Sequence, residues 1–326
     1  MKKTQCILLL IVLLIWTPIF AKTINIKKVG EFPLFVALSP DGNMAYVTSY
    51  GTGELIQVDL ARRVVMRTMA VGVAPLGIVI GNGGKTAYIA CRDSGTVAVV
   101  DLEAFRVEAD IKVAGKPYDV AIDPKGYRVL VTNYGSGKEG TLHIIDTRER
   151  RMTATIKMGM APIAVAISPT TEMAYVVNGG SNEVWAVDLY RQTVTQKIQV
   201  GDAPDGIAIT PNGEHIFVSN SQSNDLTVID ARAGTAQITI PVGKGPFGVA
   251  VSPDGERVFV VNTKSRTVSI LPSNLSSLEA VTVQVEKGPV GIQVAPDSRT
   301  FVVVNELSNS LSIADVLQSN RKSAKF

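Results

Sequence analysis

The residues able to do chemistry are few. Only two histidines are present, His143 and His215, and they are too far apart in sequence and in local pattern to form a metal pair or to share a proton-transfer task. His143 falls inside an apolar run of strand character, and His215 directly follows a turn, so both read as structural. The two cysteines, Cys6 and Cys91, match no metal-binding spacing, and no Cys-x-x-Cys-His is present to attach haem covalently. The remaining candidates are carboxylates: Asp119 and Asp205 each follow closely on a proline, and as a pair they could bind a cation or act as acid and base. The solvated loop aspartate is the ordinary alternative for both. No catalytic residue, metal site or cofactor is therefore expected on this chain.

Those prolines disclose the elements that must position such residues. They recur at Pro33, Pro75, Pro117, Pro162, Pro204, Pro246 and Pro289, in steps of 42, 42, 45, 42, 42 and 43 residues. A turn signal lies seven residues beyond each, as in Ser39-Pro40-Asp41-Gly42, Thr210-Pro211-Asn212-Gly213 and Ser252-Pro253-Asp254-Gly255. Next comes a short buried-strand run, such as Tyr46-Val47-Thr48-Ser49 or Phe259-Val260-Val261-Asn262, and then a polar loop. A third strand closes on Asp59, Asp101, Asp146, Asp188, Asp230 or Asp315, with Pro272 interrupting the pattern in the sixth unit. A fourth run leads to the next proline. Four short strands in about 42 residues is the period of a propeller blade.

The ends of the pattern argue for a closed ring. Residues 23–29 read as a fourth strand with no blade before it, and the last unit stops after its third strand at Asp315. Pairing the two completes a seventh blade and leaves no open sheet edge. The expected architecture is all-β, a seven-bladed β-propeller over residues 22–316 with four-stranded antiparallel blades. Residues 1–21 have the basic, apolar and cleavage-region order of a signal peptide, and the basic segment 317–326 reads as a disordered tail.

The strand-two runs and the Gly-x-x-Pro, Ser-Pro-Asp-Gly and Val-Ile-Asp patterns around them resemble the YVTN-repeat β-propeller family across residues 23–316. That resemblance implies an exported or surface protein, and it spans non-catalytic subunits of redox enzymes, lactonases, lyases and haem-bearing domains. The fold alone does not choose among them.

Signal cleavage would remove Lys2 and Lys3 and leave a net charge near +1, against +3 for the whole chain, which disfavours a nucleic-acid binder. It would also leave Cys91 alone, so no intramolecular disulfide is available. No membrane span is expected after the leader, and the location implied is the periplasm, the cell surface or the medium.

Strand order sends two loop sets to one rim, here called the top face. The loops at the prolines carry Tyr118, Asp119, Asp205 and Phe247; the loops joining second and third strands carry Tyr50, Arg92, Tyr134, Lys264, Arg266 and Glu306. Aromatic bodies mixed with both charge signs suit a partner surface or small-ligand site, although propeller loops carry scattered polar and aromatic residues in any case. A three-residue insertion in the loop Gly135–Gly140, which contains Lys138, points to a partner contact there. The leading expectation is a binding or scaffold protein, or an accessory subunit of an envelope complex, without chemistry of its own. Its expected partner is another envelope protein or a small ligand. The alternatives are a small-molecule hydrolase or lactonase using Asp119 and Asp205, and a single-stranded nucleic-acid binder stacking bases on the aromatics.

Overall fold

A computed structural model describes residues 23–81, 83–135 and 139–316. The expected leader, the basic tail and Lys138 lie outside the described residues.

The described chain forms seven four-stranded antiparallel sheets. Each sheet begins with an innermost strand opened by a repeat proline: Pro33–Leu38, Pro75–Ile80, Pro117–Ile122, Pro162–Ile167, Pro204–Ile209, Pro246–Val251 and Pro289–Val294. Proline donates no hydrogen bond, so the first position of an edge strand facing the channel accommodates it without loss. The second and third strands of each blade are almost wholly buried because neighbouring blades cover both their faces, and they read accordingly as continuous apolar runs. The fourth strands form the outer edge and are largely exposed, as in Val64–Ala70.

Local chemistry explains the repeat. The turn after each inner strand is closed by a backbone bond such as Gly213 N–H to Thr210 carbonyl at 2.8 Å, with Gly213 at φ 74°, a conformation that costs glycine little. In the first five blades the aspartate ending the third strand caps the following turn: Asp59 accepts from the Arg62 N–H at 2.8 Å, Asp101 accepts from the Glu103 and Ala104 N–H groups at 2.9 Å, and Asp146, Asp188 and Asp230 repeat the latter pattern. Those bonds hold the Asp101, Asp146, Asp188 and Asp230 carboxyls below the usual range. Pro272 ends its strand as expected, and the fourth strand of that blade shrinks to Val281–Gln284.

Adjacent blades pack closely around the channel. A Cβ on Gly206 would lie 2.3 Å from the Phe247 carbonyl oxygen, and one on Gly248 would lie 2.4 Å from that of Val290, so glycine is what lets adjacent inner strands approach. Further out, buried rings fill the wedge between blades, with Phe259 and Phe301 at 5.2 Å.

The ring closes as expected. Strand Ile24–Lys27 pairs antiparallel with Ser310–Asp315, Ile26 opposite Leu311, and thereby supplies the outer strand of the seventh blade. Val29 donates to the Asn309 carbonyl at 3.0 Å, and Ser312 Oγ donates to Asn25 Oδ1 at 2.7 Å. Lys27 reaches across to pair with Glu286 of the sixth blade. No described helix is long and apolar enough to cross a membrane.

Candidate functional site at the channel mouth

Two rings of positions define the top face. One lies a single residue after each proline: Leu34, Leu76, Tyr118, Ile163, Asp205, Phe247 and Val290. The other lies seventeen residues after each proline, on the loop between second and third strands: Tyr50, Arg92, Tyr134, Gly179, Ser221, Thr263 and Glu306. The backbone locks the two loop sets together, since Tyr50 N–H donates to the Phe32 carbonyl at 3.1 Å, Arg92 N–H to that of Ala74 at 3.0 Å, and Tyr134 N–H to that of Lys116 at 3.0 Å.

The second ring is lopsided. Blades seven, one, two and three place Glu306, Tyr50, Arg92 and Tyr134 there, whereas blades four, five and six place Gly179, Ser221 and Thr263. The large side chains wall a cavity of about 510 Å³ together with Phe32, Leu34, Leu76 and Tyr118. Arg92 Nη1 donates to Tyr50 Oη at 3.1 Å, while its buried Nε has no partner among the described residues. Tyr118 stacks on Tyr134 with ring centroids 6.2 Å apart and meets Phe35 edge-on at 6.3 Å.

A second, narrower cavity of about 190 Å³ continues into the channel. Tyr118 belongs to both; Phe35, Asp119, Asp205, Phe247 and Gln293 are among the other residues lining it. Burial pushes the Asp119 carboxyl up to about 7, against the Val165 and Val120 amides that favour its charged form; Val165 N–H donates to Asp119 Oδ2 at 3.1 Å. The surface Asp119 retains faces this internal space. Burial likewise raises Asp205, opposed by the Ser221 hydroxyl, and raises Glu306. Tyr118 is pushed up to about 12, first by burial and then by Asp205 and Asp119, with Arg92 opposing. The two aspartates share a cavity, but each owes its raised value to its own burial and not to the other's charge.

Of the residues expected from the sequence, the structure gathers Tyr50, Arg92, Tyr118, Tyr134 and Glu306 around the mouth, and Tyr118, Asp119, Asp205 and Phe247 in the channel. Lys264 and Arg266 stand exposed on the sixth-blade loop and line neither cavity. Phe32 escaped notice. It sits one residue before the first repeat proline, where the other blades have Ala, Lys or Gly, and its departure from that pattern is the signal that would have found it. It is 51 % exposed and holds a left-handed backbone with φ 48°, a strained state for a bulky residue. The outer hairpin of the third unit is longer than the others, its strands running Glu139–Asp146 and Arg151–Met160 with Glu139 opposite Met160.

The other titratable candidates are enclosed elsewhere. His143 is buried between Asn133, Thr141 and Thr155, and burial lowers its proton affinity. His215 packs beside Phe217 at the start of a second strand. Cys91 is fully buried and its thiol is pushed up to about 12, which keeps it protonated and unreactive. No cluster of three or more His, Cys, Asp or Glu among the described residues could hold a metal ion.

A search of curated proteins finds no match. Among solved structures, a chain of Kuenenia stuttgartiensis hydrazine synthase superposes with a TM-score of 0.80 at 22 % identity, covering 90 % of this chain and 97 % of that one, which is a likeness of fold. The family model for YNCE-like β-propellers matches residues 64–257, more than half the chain, which lie within the YVTN-type seven-bladed ring that residues 23–316 build. The chain belongs to the YNCE-like β-propeller family.

Proposed function

We propose that this protein is an exported, non-catalytic binding platform that holds a partner protein of the cell envelope on the top-face arc formed by blades seven, one, two and three. The observation that carries the reading is the clustering of exposed large apolar side chains there. Phe32, Val73, Tyr134, Met160 and Leu307 all lie on top-face loops of that arc or at its border with the fourth blade, and two of them line the mouth cavity. Solvent-exposed apolar groups rimmed by polar ones mark interaction sites, and aromatic residues with an arginine are the usual anchors. Arg92 and Glu306 supply one charge of each sign, which suits orientation of a partner more than non-specific attraction.

Export draws on the leader-like residues 1–21. The likeness of fold to a chain of hydrazine synthase makes an accessory role beside a redox partner the first version to test.

Capture from the native envelope tests the reading. The mature protein should retain one stoichiometric partner. Arg92→Ala or Tyr134→Ala should each weaken retention by at least about tenfold, the loss typical of an interface anchor, whereas Tyr190→Ala on the opposite face should not. Equal retention by all variants would contradict the assignment of this arc.

A hydrolytic reading draws on Asp119, a buried carboxyl whose proton affinity lies near neutrality in a cavity. It requires turnover of a small ester or lactone that disappears in Asp119→Asn.

A further inference from the structure

The narrow channel cavity differs in chemistry from the mouth above it. Its walls include three aromatic rings, Phe35, Tyr118 and Phe247, and two carboxylates, Asp119 and Asp205, with no lysine, arginine or histidine among the described residues that line it. Among the described residues neither aspartate has an ion-pair partner at hydrogen-bond range; Asp119 is met by backbone amides and Asp205 by the Ser221 hydroxyl. A buried carboxylate without a counter-charge is costly, and the cost is relieved when a cation arrives.

Comparison between blades sharpens the point. Two residues after the repeat proline, the other blades carry Phe35, Gly77, Ala164, Gly206, Gly248 and Gly291; only the third carries a charge. One residue after the proline, the others carry Leu34, Leu76, Tyr118, Ile163, Phe247 and Val290; only the fifth carries a charge. The fold therefore builds its channel without either acid in the remaining blades. Asp119 does tie the third blade to the fourth through Val165 N–H. A neutral amide oxygen would accept that bond equally, so the tie does not require the charge.

We propose that the channel cavity is a binding site for a small free organic ammonium compound, held by Asp119 and Asp205 with its alkyl groups against Phe35, Tyr118 and Phe247. Aromatic faces attract alkylated ammonium groups, and the carboxylates supply charge that a neutral molecule of the same shape cannot use. The volume of about 190 Å³ admits a choline-sized molecule and little more. A bare metal ion is less well served, because two carboxylates on separate blades give too few oxygen ligands for a hard cation. This site lies below the partner surface and does not depend on it.

Isothermal titration of the mature protein at about pH 8, above the value of about 7 to which Asp119 is pushed, tests the site with choline and with its neutral isostere 3,3-dimethyl-1-butanol. Choline should bind with one-to-one stoichiometry and at least about tenfold more tightly than the alcohol. The Asp119→Asn, Asp205→Asn double variant should lose at least about tenfold in affinity while keeping a cooperative melt, and Phe247→Leu should weaken choline without touching either acid. Absence of saturable choline binding, equal affinity for the alcohol, or unchanged affinity in both variants would overturn the proposal. Partner capture through Arg92 and Tyr134 is read separately, so failure of either idea leaves the other standing.

Discussion

Asp119→Asn is expected to raise the melting temperature by on the order of ten degrees at about pH 8, and by much less at about pH 4. Burial pushes the carboxyl up to about 7 in the folded protein, from an ordinary value of 3.8. Between those values the folded state keeps a proton that the unfolded chain has released, so stability falls as pH rises through this window and is lowest above it. At about 1.4 kcal/mol per pH unit the full span is worth on the order of 4 kcal/mol, and a propeller of this size gains about 2–4 °C per kcal/mol. No cationic side chain among the described residues lines the cavity to offset the charge, and the neighbouring Tyr118 stays neutral throughout. Asparagine retains an oxygen for Val165 N–H and removes the titration. Parallel pH profiles of melting temperature for the two proteins would contradict this account of Asp119.

Removal of residues 23–29 is expected to abolish the cooperative unfolding transition or to lower its midpoint severely. Ile26 and Val29 are buried in the core shared by the seventh and first blades, and the strand Ile24–Lys27 covers the edge of Ser310–Asp315. Its loss uncovers that edge and leaves the ring held at one fewer seam. A single Ile26→Asp substitution, which buries a charge at the same place, should cost on the order of 3–5 kcal/mol in denaturant unfolding. A permuted chain that carries residues 23–30 after residue 316 should recover the stability, because the strand is then supplied from the other side of the same seam. An unaltered midpoint in the truncated chain would show that the seventh blade does not need its outer strand.

Most of the fold is written in the spacing of proline, turn and terminal aspartate, because each does a local job that any blade needs. Proline opens a strand at the channel edge, glycine takes the left-handed turn, and aspartate caps the next one. Ring closure was legible for a different reason: an orphan strand at one end of the pattern matched a missing strand at the other. The site was legible only in part. Strand order assigns loops to a rim, which sufficed to bring Tyr50, Arg92, Tyr118, Tyr134 and Glu306 together, but it does not say which loops lean inward. Lys264 and Arg266 occupy the right loop set and still line neither cavity. Phe32 was hidden because its significance lies in a backbone angle and in exposure, neither of which composition carries. The division of the top face into a broad apolar mouth and a narrow acidic channel depends on the radial position of consecutive residues, Tyr118 and Asp119 among them, and emerges only when the seven blades are assembled.

The central claim, that the arc from the seventh to the third blade is where a partner docks, is tested most directly by site-specific photo-crosslinking in the native host. A photoreactive residue replacing Tyr134, 37 % exposed at the mouth, is compared with one replacing Tyr190, 86 % exposed on the opposite face. A discrete adduct of one partner from position 134 and none from position 190 is the expected result. Adducts from position 190 alone, the same adducts from both, or none from either would contradict the claim.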